Sequence, residues 1–61
     1  MMTTDEVRAG VLCEDHQGKR LKITRIDDEG FVSWEYLDSI GGGRTWMQQF
    51  KATHEAIRSA A

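Results

Sequence analysis

The sequence predicts a mainly β chain, a small SH3-like, partly open barrel of four to five antiparallel strands with a short C-terminal helix. Three observations predict it. Between Val11 and Phe50, short segments rich in β-branched and aromatic residues alternate with breaks that contain Gly and Asp. No proline interrupts any of those segments. The tail then leaves the two-residue period of a strand for the three-to-four-residue period of a helix. Curling the sheet toward a barrel is expected because it removes most of the exposed edges.

The first strand is expected from about Val11 to Glu14, closed by Asp15-His16-Gln17-Gly18, where Asp opens a turn and Gly permits positive φ at its end. The second runs from about Lys19 to Ile26. Leu21 and Ile23 share a face but Ile26 is out of phase with them, so a bulge or strand end is expected near Arg25. Asp27-Asp28-Glu29-Gly30 makes the second turn. In the third segment, Phe31 to Leu37, Val32, Trp34 and Tyr36 lie on one face and Phe31 and Leu37 on the other. The break from Asp38 to Gly43 reads as a longer, flexible loop leading to a fourth strand at about Arg44 to Gln49. The meander thus occupies residues 11–49.

From Phe50 to Ala61, the spacing of Phe50, His54, Ile57 and Ala61, supported by Ala52, Ala56 and Ala60, predicts a helix over 50–61. Its narrow apolar stripe fits an open end of the barrel or a second copy of the chain. At the other end, Thr3-Thr4-Asp5-Glu6 fits a capping box, with Gly10 where a C-cap glycine would stop a single turn. Residues 1–9 read equally as that turn or as a frayed arm.

With 61 residues the chain is one domain near the lower limit at which a core offsets chain entropy. Its single cysteine, Cys13, forms no internal disulfide, and no Cys/His spacing describes a zinc site. Self-association, most simply as a two-fold homodimer, is therefore the expected extra source of stability. A composition 39% hydrophobic and 30% charged is too apolar for a disordered chain. No basic stretch followed by an apolar core opens the sequence, and no apolar run reaches membrane-spanning length, so a cytoplasmic location without a membrane partner is expected. A formal net charge of −2 supplies no overall positive field for nucleic acid, which leaves only a local patch to bind it.

Val7-Arg8-Ala9-Gly10, Asp15-His16-Gln17-Gly18, the apolar segment to Ile26, Val32-Ser33-Trp34 and Phe50 together resemble small phage and prophage proteins of unknown function predicted to form SH3-like barrels. The resemblance spans residues 7 to 54. It implies a non-catalytic accessory or binding protein encoded on a mobile element, and it carries over no functional residues.

Several constellations bear on function. Cys13 and His16 could pair a thiolate with an imidazole, but on a strand entering a turn their side chains diverge and nothing orients His16. A structural cysteine is expected. His16 and His54, with Glu14, Asp15 and Glu55, approach a metal set only if the tail folds back to the first turn. Gly41-Gly42-Gly43-Arg44-Thr45 lacks the lysine and the following helix of a phosphate-binding loop. Lys19, Arg20, Lys22 and Arg25 form the one dense basic stretch. With Arg44 and a stacking Trp46 they describe a nucleic-acid platform, against which stands a solvated face whose cations pair with Glu35 beside Asp27, Asp28 and Glu29. Tyr36 and Trp46 could also line a peptide groove with Glu35 and Asp38 nearby. Five aromatics exceed what so small a core holds, so part of the set either marks an interface or lies under the helix. The leading expectation is a non-enzymatic interaction module that binds a protein or its own copy by burying Phe31, Leu37 or Trp46, with Arg44 as polar anchor. The alternative is a nucleic-acid-binding accessory protein using Arg20, Lys22, Arg25 and Arg44. No cofactor is expected, and an enzyme would need an oligomer to enclose its pocket.

Overall fold

Two aspartate–glycine turns fold the first three strands into a meander. The computed structural model describes residues 1–57. It places strands β1 at Leu12–Asp15, β2 at Arg20–Ile26 and β3 at Phe31–Tyr36. In the first turn the Asp15 Oδ1 accepts hydrogen bonds from the amides of Gln17 (2.9 Å) and Lys19 (3.0 Å), and Gly18 takes a φ of 81°. The second turn repeats the device: Asp27 Oδ1 accepts from the amides of Glu29 and Phe31, both at 3.0 Å, and Gly30 takes a φ of 91°. The aspartate replaces backbone partners that a tight turn cannot supply, and glycine alone adopts the left-handed φ without a steric penalty.

The chain continues through β4 (Gly42–Trp46), helix α1 (Met47–Thr53) and β5 (His54–Ala56). The five antiparallel strands form one sheet in the order β4-β3-β2-β1-β5. The sheet is not closed: β4 and β5 are its two edges, α1 links them, and the result is a small, partly open β fold. The β2–β3 register shifts between Ile23 and Arg25, the irregularity that the misphased Ile26 announces.

Cys13, Leu21, Ile23 and Val32 line the inner face and meet Phe50 from α1 with Met2 and Val7 from the N-terminal segment. Trp34 and Tyr36 pack against the same cluster. β3 therefore buries its Val32–Trp34–Tyr36 side and turns Phe31 outward. At the N-terminus a short 3₁₀ turn, Thr4–Glu6, forms at the capping box: the Thr3 amide donates to Glu6 Oε1 at 2.8 Å, and the Met2 amide ties the segment to Lys51 O at 2.9 Å. Gly10 does not cap this turn, which ends at Val7. It serves the approach to β1 instead, with a φ of 92° and its amide bonded to Ile23 O at 2.7 Å.

The tail departs from the helix expected over 50–61. The helix begins earlier, at Met47, and ends at Thr53; His54–Ala56 is a strand on β1, and residues 58–61 lie outside the described residues. Alanine's helix propensity is worth only tenths of a kcal/mol per residue, whereas the free edge of β1 offers a ladder that pairs Cys13 with Ala56 and Asp15 with His54. Thr53 helps the stop by turning its Oγ1 back to Gln49 O at 2.8 Å. The fourth strand likewise comes earlier than the expected 44–49, because Gly42 and Gly43 belong to it rather than to a flexible loop. Both glycines are there for closeness. A Cβ on Gly43 would collide with the Trp34 indole, and one on Gly42 with the Trp34 carbonyl oxygen.

His54 closes the core at its open end. Its ring stacks on Phe50 with centroids 4.0 Å apart, Trp34 tilts against both rings at 5.4 Å, and Nδ1 lies 3.1 Å from Phe50 O. Burial holds the imidazole below its ordinary 6.5, partly offset by the Phe50 carbonyl and Asp15.

Two outcomes follow. Gly43→Ala should destabilise the fold by about 1–3 kcal/mol, the range for overpacking, read from the urea midpoint. Because the folded state holds His54 neutral while the unfolded chain takes up its proton near the ordinary value, stability is complete above about pH 6.5 and falls as pH drops toward the lower folded value. The urea midpoint should decline between about pH 7.5 and about pH 5.5, and His54→Gln should flatten that decline. Asp15, Asp27 and Glu55 have depressed values and act only below the ordinary carboxylate range, so they leave this window alone.

Candidate protein-interaction face

The outer face of β3 and β4 carries an aromatic pair braced by a charged one. Phe31 and Trp46 are direct cross-strand partners, as are Ser33 and Arg44. Such pairs bring outward side chains together. The Phe31 and Trp46 rings stack with centroids 3.9 Å apart, and the Arg44 guanidinium carbon lies 4.1 Å from the Phe31 centroid. Arg44 also donates to Asp27 Oδ2 at 2.7 Å. Asp27 thus serves twice, organising the β2–β3 turn with one oxygen and anchoring Arg44 with the other. The Arg44 hydrogen bond leads the causes that hold its carboxyl below the usual carboxylate range. Despite its stack, Trp46 remains 56% exposed.

Of the sequence-predicted interface residues, Phe31, Arg44 and Trp46 come together. Leu37 does not join them: it follows the far end of β3, where its amide bonds Arg20 O at 3.0 Å, and stays half exposed. A six-residue strand separates the two ends of that face. Asp27, which the sequence places in the second turn and as a negative charge beside the basic stretch, is the member of this corner that sequence reasoning did not include. Its signal lay in the repeated Asp-x-x-Gly turn, which fixes where that carboxylate sits.

The four candidate nucleic-acid residues also share the outer face, but acids accompany them. Arg20 lies 3.6 Å from Asp38, Arg44 is held by Asp27, and Lys22 stands opposite Glu35 in the β2–β3 register. Arg25 pairs with Ser33 and borders a depression with Asp27, Asp28, Glu29 and Arg44. Tyr36 and Trp46 do not line a common groove, because Tyr36 packs against the core and Trp46 lies on the outer side.

Two further constellations resolve. Cys13 is fully buried and burial, helped by Glu6, pushes its thiol up to about 11, while His16 sits exposed on the turn beyond it. The pairing of β5 with β1 does fold the tail back to the first turn, where Glu14, Asp15, His16, His54 and Glu55 border a cleft of about 370 Å³. Among the described residues no group of His, Cys, Asp and Glu is placed to hold a metal ion. Glu55 instead takes the N-terminal ammonium at 2.8 Å.

Compared with known protein families, curated proteins and solved structures, the chain finds no match. Among the described residues no helix is long and apolar enough to cross a membrane.

Removing the Arg44 charge tests the bracing directly. In an Arg44→Gln variant the Asp27 carboxyl should titrate closer to its ordinary 3.8, read by side-chain NMR, with the β2–β3 turn intact because Oδ1 keeps its amide donors.

Proposed function

We propose that the protein is a non-enzymatic interaction module that binds protein, including its own copy, through the outer face formed by Phe31, Arg44 and Trp46. The observation that carries this reading is the half-exposed Trp46, held rigid by Phe31 on a face where Arg44 is already oriented by Asp27. Indole and guanidinium groups dominate binding energy at interfaces, and a preordered side chain loses less entropy when it docks. The aromatic stack contributes about 0.5–1.5 kcal/mol of that order within the free chain.

A second reading, nucleic-acid binding, is favoured by one observation: Arg20, Lys22, Arg25 and Arg44 lie on the same face as Trp46. The acids beside Arg20, Lys22 and Arg44 and the net charge of −2 make it the weaker one. The resemblance to phage-type accessory proteins agrees with a binding role of either kind.

The two readings separate by salt. Solution mass measured by light scattering at low and high ionic strength, with and without a short mixed-sequence DNA, should give an oligomer that ignores both salt and DNA. A monomer that binds DNA only at low salt would overturn the proposal. Trp46→Glu should abolish the association while the variant keeps a cooperative unfolding transition.

A further inference from the structure

Among the described residues the outer edge of β4 has no strand beside it, since the sheet ends there. Which of its backbone groups point outward follows from the ladder on its inner side. Tyr36 N donates to Gly41 O and Met47 N to Gly30 O, both at 2.9 Å, so the hydrogen-bonded pairs between β3 and β4 are those of Gly43 and Thr45. The amide and carbonyl of Arg44 then face outward, with the carbonyl of Gly42 and the amide of Trp46, whose own carbonyl starts α1. These groups are symmetric about Arg44.

The apolar side chains are arranged to match. Trp46 lies at one end of the strand, and Ile40, fully exposed, precedes the other. An antiparallel pairing of β4 with itself brings each copy's Trp46 end against the other's Ile40 end and sets each indole beside Gly42, which carries no side chain. It also sets Arg44 opposite Arg44, a like-charge pair that would oppose dimerisation unless neutralised. The Asp27 carboxylate 2.7 Å from each guanidinium supplies that neutralisation.

We infer that two copies of this chain pair through β4 about a two-fold axis at Arg44, joining their sheets into one. The inference rests on the outer-face reading and names its partner and geometry. Backbone bonds run from Arg44 to Arg44 and from Trp46 to Gly42 in both directions. So short an edge buries less than a standard interface, which makes the dimer weak and concentration-dependent.

Hydrogen exchange on the unmodified protein tests the parity. As concentration rises from about 20 μM to about 1 mM, the Arg44 and Trp46 amides should slow by about tenfold or more, while those of Gly43 and Thr45, already in the ladder, stay unchanged. Mass should approach twice the 6.9 kDa of one chain. An Arg44→Cys variant gives a second readout. Cα atoms of a hydrogen-bonded antiparallel pair lie about 5.5 Å apart, within disulfide range, so oxidised glutathione should link it into a dimer while Ser33→Cys stays monomeric; Cys13 is buried and does not compete. Unprotected amides and an unlinked Arg44→Cys chain in a sample of doubled mass overturn the β4 pairing and leave the outer-face reading standing. A mass that never rises overturns the pairing as well. The outer-face reading fails instead when Trp46→Glu keeps the doubled mass.

Discussion

The indole of Trp34 lies directly against Gly43, and the position of β4 depends on that contact. With glycine at 42 and 43 the fourth strand can approach the Trp34 carbonyl and ring more closely than any side chain would allow. Trp34 in turn meets Phe50 and His54 from α1 and β5, so one side chain holds β4, α1 and β5 together. Its Nε1 is buried without a hydrogen-bond partner among the described residues. That loss is on the order of 1–3 kcal/mol, and the ring contacts and burial around the indole offset it.

Once β4 is fixed, strand alternation decides the rest of the outer face. Gly43 and Thr45 turn inward, so Arg44 and Trp46 turn outward, opposite Ser33 and Phe31. The turn that precedes β3 delivers Asp27 to the same corner. An exposed aromatic is common on small proteins and by itself means little. Here the tryptophan is stacked, its neighbour arginine is oriented, and both lie on a strand whose backbone is unpaired on one side among the described residues. What distinguishes this corner from the basic strand beside it is the stacked aromatic pair, since the cations of both sit among carboxylates that weaken their field.

Much of this was legible in the sequence. The two Asp-x-x-Gly turns, the division of β3 into two faces and the irregularity before Ile26 all follow from local chemistry; which face of β3 is buried does not, and the packing of Phe50 and α1 decides it. The tail was not, because His54–Ala56 is held by the distant edge of β1, a partner no local pattern announces. The three consecutive glycines read as a loop for the same reason: flexibility and close approach have one signature in sequence, and only the position of Trp34 tells them apart. Phe31 and Trp46 could be named as outward candidates from alternation, but not as partners, since their stacking depends on the β3–β4 register. Leu37 shared Phe31's parity and failed for lack of reach along the strand.

The Phe31–Arg44–Trp46 corner is the surface proposed to meet another protein. The most direct measurement is a concentration series of two-dimensional ¹H–¹⁵N NMR spectra recorded at low and high salt, following the two indole resonances. The Trp46 indole and the amides of Phe31 and Arg44 should move with concentration equally at both salts, while the Trp34 indole stays in place. Stationary resonances at that corner, with shifts appearing instead at Arg20, Lys22 and Arg25 only when nucleic acid is added at low salt, would contradict it.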